Sequence, residues 1–297
     1  MSYKSGIVAL LGRPNVGKST LINHLVGSRI AAVSPKPQTT RTRIRAIVTT
    51  DEAQLVLVDT PGIHRPRTKL GTAMVRTAQL SAADVDAIWH VVDLTREPGR
   101  EDEWVADFLG RQETPAWLVA NKMDRADDVR LRVAAFRDLY PYSRVYPVSA
   151  LTGDGVDILL EDALAMLPEG PQLFDADQVT DQAEDFYIAE AIREQVLELT
   201  RDEVPHAVAV VVEEKIHRRA DLTYIRATLY AERESQRGIL VGEGGRMSRE
   251  IGRRARLVLE EYFGHQVFLE IWVKAEKGWR DREDWLRRFG LGTRGSG

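Results

Sequence analysis

The chain has 297 residues, a formal net charge of −4 at pH 7 and a hydrophobic content of 43%. This length exceeds the usual size of one hydrophobic core, so we predict two domains. The sequence contains no cysteine, which excludes disulfides and thiolate zinc sites. The small negative charge argues against nonspecific nucleic-acid binding over the whole surface. No segment resembles a signal peptide or a membrane span, and we therefore expect a soluble, cytoplasmic protein.

The first predicted strand, residues 7–11, leads into a glycine-rich loop of the phosphate-binding type. The loop pattern is matched by Gly12-Arg13-Pro14-Asn15-Val16-Gly17-Lys18-Ser19, and a helix is predicted from Thr20. In such a loop the backbone N–H groups of residues 15–20 surround the β- and γ-phosphates at a helix N-terminus. Lys18 supplies a positive charge, and the Ser19 hydroxyl binds Mg²⁺. The loop alone does not distinguish ATP from GTP.

A threonine-rich stretch, residues 38–42, precedes the strand predicted at 44–50. Such a stretch is compatible with an ordinary loop, but after a P-loop it is also typical of a segment that responds to the γ-phosphate. We expect one of its hydroxyls to bind Mg²⁺. Thr40 is the preferred ligand, and Thr39 stays an alternative because sequence does not determine the register of a loop.

The strand predicted at 54–59 ends in the sequence Asp59-Thr60-Pro61-Gly62. We expect Asp59 to hold Mg²⁺ through water and the Gly62 N–H to donate to the γ-phosphate. His64 follows shortly after and is interpreted as a solvated loop residue rather than a nucleotide contact. The metal ligands predicted from the sequence are therefore Ser19, Thr40 and Asp59.

The base is specified by the sequence Asn121-Lys122-Met123-Asp124, which follows the strand predicted at 115–120. A carboxylate at Asp124 can accept hydrogen bonds from N1–H and the exocyclic amine of guanine, whereas adenine offers no such pair of donors. Leaving a buried carboxylate unpaired costs about 1–3 kcal/mol, enough for one residue to select the base. After the strand predicted at 144–148, Ser149 and Ala150 are expected to offer a backbone N–H to the guanine O6. These residues predict a guanine nucleotide site.

Strand and helix candidates, including a strand at 87–93, alternate as far as residue 168. This pattern predicts an α/β domain with a mostly parallel sheet and helices on both faces. The sequence Leu167-Pro168-Glu169-Gly170-Pro171 has the composition of a helix breaker. We therefore predict a nucleotide domain at 1–168, a linker at 169–183, a second domain at 184–280 and a C-terminal tail at 281–297.

The second domain contains strand candidates at 207–214 and 222–232, followed by helical sequence and a last strand at 267–273. A Gly-x-x-Gly loop, Gly242-Glu243-Gly244-Gly245, lies between the two predicted helices. In KH domains a loop of this kind clamps the backbone of about four single-stranded nucleotides. The glycines allow backbone amides to approach phosphates without a Cβ in the way. The order of elements favours this interpretation over an ordinary turn.

Four arginines follow the loop at spacings of three and four residues, which places them on one helical face: Arg246, Arg249, Arg253 and Arg256. They form a candidate phosphate track, and we take the first three, with the loop residues 242–245, as the candidate RNA-binding residues. The alternative is a solvated face paired with Glu250 and Glu260. Glu243 lies inside the loop, where its charge is expected to repel phosphates.

Taken together, these motifs resemble the Era family of bacterial GTPases, and the resemblance covers nearly the whole chain. It rests on the nucleotide motifs, on the KH-like half that follows them, and on the final Glu270-Ile271-Trp272-Val273-Lys274 strand with Gly278-Trp279. The resemblance implies a Ras-like GTPase domain followed by an α+β type II KH domain. It also implies that the partner is the 3′ end of 16S rRNA in the 30S subunit, with peripheral association with the inner membrane as a further expectation. We expect a monomer.

At the position where Ras-type enzymes carry the glutamine that orients water, this chain has Ile63. An isoleucine cannot position water, so we expect slow hydrolysis of GTP to GDP and phosphate unless another group completes the site. In related GTPases an asparagine at the position of Asn15 helps to hold potassium, and we hypothesise the same role here. The candidate catalytic residues are Lys18, Thr40, Gly62 and Asn15.

The C-terminal segment interleaves aromatic and basic residues between Trp279 and Phe289. This pattern is compatible with a membrane or RNA contact, but we expect it to dock against its own domain. Residues 292–297 are predicted to be disordered. Two functions fit the sequence: a GTP-hydrolysing switch that binds rRNA, and a nucleotide-dependent binding module for a membrane or a protein in which the KH-like fold is only a scaffold.

Overall fold

A computed structural model describes residues 2–34, 39–202 and 204–291 of the chain. These residues form two compact units, the first ending at Asp181 and the second beginning at Gln182. The described parts of segments 32–39 and 68–70 group with the second unit. Among the described residues, no helix has both the length and the apolar character needed to span a bilayer.

The chain up to residue 166 alternates strands and helices. In order they are β1 (Lys4–Leu11), α1 (Lys18–Val26), β2 (Ile44–Thr49), β3 (Ala53–Asp59), α2 (Lys69–Leu80), β4 (Ala87–Asp93), α3 (Arg100–Leu109), β5 (Ala116–Asn121), α4 (Val129–Arg137), β6 (Arg144–Pro147) and α5 (Val156–Met166). The six strands form one sheet in the order β2-β3-β1-β4-β5-β6. β2 is antiparallel to β3, and all other neighbours are parallel. The predicted α/β fold is confirmed.

The parallel arrangement explains where a ligand would bind. Every residue of β3, β4 and β5 is buried, as expected for central strands that are covered on both faces. Polar residues therefore appear where these strands end, at Asp59, Asp93 and Asn121. In an open α/β sheet this carboxyl edge is where ligands bind.

The segment predicted as a linker lies along the first unit. An isolated bridge pairs Lys4 with Glu169, and another pairs Ala46 with Thr180. The buried Gln54 side chain accepts from the N–H groups of Leu173 and Phe174. These hydrogen bonds tie the proline- and glycine-containing segment to the sheet edge, and the division between the two compact units falls after residue 181.

The second unit begins with a helix and then builds a three-stranded sheet. Its elements are α6 (Glu184–Leu199), β7 (Val208–Arg219), β8 (Leu222–Ala231), α7 (Glu234–Val241), α8 (Arg246–Phe263), β9 (Gln266–Ala275) and α9 (Glu283–Arg288). β7 and β8 are antiparallel, whereas β8 and β9 are parallel. Apolar residues of α6, α7 and α8, such as Ile192, Leu240 and Ile251, form one core with Ile225 and Leu229 of β8.

The C-terminal segment docks on its own unit, as expected. Trp279 is fully buried, and its indole N–H donates to the Ala207 carbonyl at 3.2 Å. The rings of Trp285 and Phe289 each lie 5.3 Å from the ring of Tyr230 on β8. These contacts place the apolar residues of the segment against its own unit, where Leu286 is buried and Trp285 and Phe289 are half-buried. The predicted disorder at 292–297 lies outside the described residues.

Candidate functional site

The loop after β1 has the geometry of a phosphate cradle. Gly17 adopts a φ of 101°, and a Cβ built there would lie 2.3 Å from Asn121 Nδ2, so only glycine fits. Lys18 begins α1, and its Nζ donates to the carbonyls of Gly12 at 3.1 Å and Arg13 at 3.2 Å. Burial lowers the pKa of Lys18 to about 8, although Asp59 acts to raise it. The ammonium group is thus held across the loop at a helix N-terminus.

The three predicted metal ligands lie together. Ser19 Oγ lies 2.8 Å from Thr40 Oγ1 and donates to Asp59 Oδ2 at 2.7 Å. Thr40 Oγ1 is 3.4 Å from the same carboxylate oxygen. The Thr39 hydroxyl instead donates to the Ser34 carbonyl at 3.4 Å. The geometry therefore favours Thr40 over Thr39.

Asp59 has the properties of a cation ligand. It is fully buried, and burial raises its pKa despite the nearby Lys18. Its Oδ1 atom has no hydrogen-bond partner among the residues that the structure describes. A buried carboxylate oxygen without a donor is costly, and Mg²⁺ prefers oxygen ligands of this kind. The residues fit the metal.

The loop after β3 touches the phosphate cradle. The Ile63 N–H donates to the Gly12 carbonyl at 3.0 Å, and a Cβ on Gly62 would lie 2.6 Å from the Pro14 nitrogen. The Ile63 side chain packs into the core behind the sheet, so it does not face the nucleotide site. The His64 ring nitrogen Nδ1 bonds to the Gly62 carbonyl at 2.9 Å. The other predicted residues of the phosphate region lie in or beside these two loops: Val16, Thr20, Thr60 and Pro61.

The loop after β5 is joined directly to the phosphate cradle. The Asn121 amide donates to the Val16 carbonyl, and Lys122 Nζ donates to the Asn15 carbonyl, both at 2.8 Å. Asp124 lies in a short 3₁₀ turn and is exposed. Its carboxylate is therefore accessible to a base. The base motif and the phosphate loop form one connected structure.

Ser149 and Ala150 lie beside the base motif, and their backbone N–H groups have partners in the protein. The Ser149 N–H donates to the Asp154 carbonyl, and the Ala150 N–H donates to Asn121 Oδ1, each at 2.9 Å. Both donors that were expected to reach the guanine O6 are thus used inside the protein. The sequence placed the two residues correctly at the base motif but did not show that Asn121 accepts the second N–H.

Two buried carboxylates that sequence reasoning missed brace this site. Asp93, at the end of β4, accepts from Lys122 Nζ at 2.7 Å and lies 3.8 Å from Arg13 Nη2. Asp102, at the start of α3, lies 3.3 Å from Arg13 Nε. Burial acts to raise the pKa of Asp93, but donors from Lys122 and Thr95 outweigh it, and the pKa lies below its usual value. The available signal was an acidic residue at the end of an otherwise apolar strand.

The second predicted site is the loop between α7 and α8. Gly242, Gly244 and Gly245 have φ values of 70°, 57° and 78°, in the region that favours glycine. A Cβ on Gly244 would meet no atom within 4 Å, so this part of the loop faces open space. Glu243 is also exposed. The backbone is therefore accessible, but a negative charge lies beside it.

The four arginines of α8 are exposed, but they differ in their partners. Arg253 makes two hydrogen bonds to Glu250, at 2.9 and 2.8 Å, and Arg256 lies 3.9 Å from Glu260. Hydrogen bonds from Arg253 and Arg254 lower the pKa of Glu250 to about 2. Within the described ranges, Arg246 and Arg249 have no carboxylate at ion-pair distance. The ion-paired alternative therefore describes Arg253 and Arg256, and the phosphate track stays a prediction for Arg246 and Arg249.

Comparison with known proteins agrees with these two sites. Residues 7–122 match a family model described as a 50S ribosome-binding GTPase, and residues 203–280 match a KH domain model. GTPase Era of Carboxydothermus hydrogenoformans is 46% identical over 294 residues, which covers 98% of this chain and 99% of the relative.

Two solved structures are similar over nearly the full length. One is Era in complex with MgGDPNP and nucleotides 1506–1542 of 16S ribosomal RNA, with a TM-score of 0.93, 36% identity and coverage of 98% of this chain and 99% of that chain. The other is a tyrosine-to-alanine variant of Aquifex aeolicus Era bound to GDP·AlF4⁻, with a TM-score of 0.93, 37% identity and coverage of 97% and 99%. With its GTPase half followed by its KH half over almost the whole length of these relatives, the chain belongs to the Era family of GTPases.

Proposed function

We propose that this GTPase uses its bound nucleotide to control the grip of its KH domain on the 3′ end of 16S rRNA during assembly of the 30S subunit. The observation that carries the proposal is that one chain holds a connected candidate nucleotide site and an open Gly-x-x-Gly loop. Beside that loop lie Arg246 and Arg249, which have no carboxylate at ion-pair distance among the described residues. The similar Era structure that contains MgGDPNP and a 16S rRNA segment supports it.

In the nucleotide site, we assign each contact with GTP and Mg²⁺ to a residue of this chain. Lys18 and the amides of residues 15–20 hold the β- and γ-phosphates, and the Gly62 N–H donates to the γ-phosphate. Ser19 and Thr40 bind Mg²⁺ directly, and Asp59 holds it through water. When bound, Mg²⁺ neutralises charge that develops on the phosphates. Asp124 accepts from the guanine base and excludes adenine.

Hydrolysis is slow in this proposal because no described side chain replaces the missing glutamine. Ile63 is packed in the core, and His64 bonds to the backbone of Gly62. We expect an intrinsic rate on the order of 10⁻⁴ s⁻¹, as in Ras without its activator. Asn15 lies in the cradle with a φ of 64° and helps to hold potassium, which supplies positive charge near the phosphates.

On the RNA side, residues 242–245 clamp the backbone of a single strand, and Arg246 and Arg249 contact its phosphates. Arg253, a further candidate contact, is partly neutralised by Glu250. Glu243 weakens the clamp by repulsion. The alternative, a membrane-binding module, is less well supported because Leu286 of α9 is buried and the Trp285 ring packs on Tyr230 of the second unit.

The charge at Glu243 gives a direct test of the clamp. We expect Glu243→Lys to tighten RNA binding, because it replaces repulsion of the phosphates with attraction on an exposed loop. Glu261→Lys, an equal charge change on the exposed surface of α8, is the control for general electrostatics. An RNA titration that shows no change for Glu243→Lys, or the same gain for both variants, would contradict this role.

The proposal as a whole is tested by fluorescence anisotropy with an oligonucleotide from the 3′ end of 16S rRNA, in potassium buffer at fixed salt. Tighter binding with a non-hydrolysable GTP analogue than with GDP is the expected result. Gly244→Asp should abolish RNA binding and leave GTP binding intact, whereas Lys18→Ala should lose the nucleotide dependence. Negligible RNA affinity of the unaltered protein would instead favour the scaffold function.

A further inference from the structure

The sheet of the second unit has one face packed against helices and one open face. Along β9, the odd-numbered side chains from Val267 to Val273 contribute to the core. The even-numbered side chains point to the opposite face. One end of that face, at Tyr230, is covered by α9. The other end remains uncovered among the residues that the structure describes.

The uncovered end carries large aromatic side chains. Phe268 is 56% exposed and Trp272 is 53% exposed. Phe268 stacks on Tyr224 of β8 with ring centroids 5.9 Å apart and an angle of 21° between the planes. The Arg218 guanidinium lies over the same tyrosine, 4.2 Å from its centroid. We call Arg218, Tyr224, Phe268 and Trp272 the aromatic platform.

The polar groups of this surface already have partners. Glu270 accepts from the Tyr224 hydroxyl at 2.5 Å and from the Trp272 indole at 2.7 Å. Glu214 is paired with Arg226 at 3.0 Å. Arg218, by contrast, has no carboxylate at ion-pair distance within the described part of the chain. The Glu270 carboxylate keeps its negative charge, because both of its donors are neutral and they lower its pKa. The Arg218 guanidinium, which lies over the Tyr224 ring, is therefore the group of the platform that suits a phosphate.

The geometry points to single-stranded RNA as the occupant: we propose that the aromatic platform stacks bases of a strand that continues beyond the Gly-x-x-Gly clamp. This rests on the proposed RNA-binding function of the same domain. Phe268 and Trp272 are four residues apart on one face of a strand, about 13 Å at the usual rise, so they suit two separate bases. Stacking on aromatic rings tolerates any sequence, because every base has a π-face. Arg218 supplies the phosphate contact.

In this proposal the two faces of β9 have different roles: one packs against the helices and the other binds RNA. A clamp of this type spans about four nucleotides, so it accounts for a short segment only. Gly252 of α8 lies against Ile271 on the core side of β9, and the aromatic platform lies on the other side. A longer strand that passes over the edge of β9 reaches both surfaces. Length dependence is therefore the signature of the platform.

The test compares four-nucleotide and twelve-nucleotide RNAs from the 3′ end of 16S rRNA by anisotropy, using the full-length protein. We expect Phe268→Ala/Trp272→Ala to weaken binding of the longer RNA at least about tenfold and to leave the shorter RNA and GTP hydrolysis unchanged. Tyr262→Ala is the matched control, because it removes an aromatic ring of similar exposure outside the platform. Tyr262 is 46% exposed and stacks on Tyr187 with ring centroids 3.9 Å apart. If the alanine variant is unstable, Phe268→Leu/Trp272→Leu keeps apolar side chains without aromatic faces, and we expect the same selective loss for the longer RNA.

Each outcome separates this proposal from the function on which it rests. If Gly244→Asp abolishes binding while the platform variants bind the longer RNA normally, the clamp stands and the platform is refuted. Equal weakening of both RNAs would also refute it, because the substitutions would then act through the clamp. If no RNA binds to the unaltered protein, the proposed function is refuted, and the platform proposal is refuted with it. Loss of 30S binding with normal RNA binding would identify a protein-docking face and overturn the proposal.

Discussion

In the proposed function, base selection depends on the carboxylate of Asp124, whose loop is held in place by its neighbours. Asp124 is exposed in a short turn, while Asn121 and Lys122 anchor the same loop to the phosphate cradle through Val16 and Asn15. The anchoring residues set the distance between base and phosphates, and Asp124 reads the base. Affinity and base choice are therefore expected to be separable by mutation.

We expect Asp124→Asn to lower GTP affinity about 10- to 150-fold, because guanine then loses an acceptor for its two donors. The same variant should gain affinity for XTP, whose carbonyl at C2 accepts from the new amide. Competition of GTP and XTP against a fluorescent nucleotide measures both effects. Asp127→Asn, an equal change at an exposed residue nearby, is the control. Retained preference for GTP in Asp124→Asn would contradict the assignment.

Lys18 predicts a pH dependence of nucleotide binding. Its pKa is lowered to about 8 by burial, and phosphates favour its charged form, so binding raises the pKa. Above pH 8 the free protein must therefore take up a proton to bind, and affinity falls as pH rises. Calorimetry with GDP in buffers of different ionisation enthalpy should show uptake of about half a proton at pH 8 and little at pH 7. Equal uptake at both pH values would contradict this.

At the scale of elements, helix α8 has two sides with different roles. Its buried side, with Ile251, Ala255 and Leu259, belongs to the core of the second unit. Its exposed side carries the four arginines. The ion pairs of Arg253 and Arg256 reduce the positive charge toward the far end of the helix. The unpaired charges lie at the end next to the Gly-x-x-Gly loop.

This difference predicts unequal contributions to RNA binding. We expect Arg249→Ala to weaken RNA binding and to reduce the slope of log K against log salt by about 0.7, the value for one phosphate contact on a single strand. Arg253→Ala should have a smaller effect, because Glu250 already neutralises that guanidinium. RNA titrations over a range of salt concentrations measure both slopes. Equal losses for the two variants would show that the ion pair does not matter.

The sequence predicted these elements well where periodicity and motif agree. The bounds of β4 were predicted at 87–93, as observed, because its buried apolar run is closed by a polar residue. β7 was predicted to end at 214 but continues to Arg219, since charged residues at the end of a hairpin hide the strand pattern. The segment 169–183 looked like a free linker because its hydrogen bonds to β1 and β2 depend on tertiary structure.

The nucleotide site shows the same limit. Lys18, Ser19 and Asp59 could be assigned from motifs because their chemistry needs fixed spacings, whereas Thr40 and Thr39 could not be distinguished in a loop of unknown register. Asp93 and Asp102 could not, since they act on Arg13 from distant parts of the sequence. The use of the Ala150 N–H by Asn121 was also invisible, because it depends on the geometry of two loops. Motifs therefore identify the groups that touch a ligand more readily than the groups that hold them.

At the scale of the whole molecule, the proposed switch needs hydrolysis that is slow enough to time release from RNA. Ile63 occupies the position of the Ras-type glutamine and is buried in the core, so in this proposal turnover depends on a group that can be added. We expect potassium to raise the GTPase rate several-fold over sodium at equal ionic strength, and Asn15→Ala to remove the difference. Phosphate release under multiple turnover measures both. Equal rates in the two salts would count against a role of Asn15 in potassium binding.

The parallel pairing of β8 with β9 also sets an order of events during synthesis. All six strands of the first unit's sheet have been synthesised once the ribosome passes β6, and the last helix of the first sheet's α/β region ends at Met166. The three-stranded sheet, by contrast, waits for a strand that ends at Ala275, 109 residues later. At about 5–20 residues per second, that interval is roughly 5–20 s. The nucleotide site is therefore complete in sequence before the proposed RNA-binding surface has been synthesised.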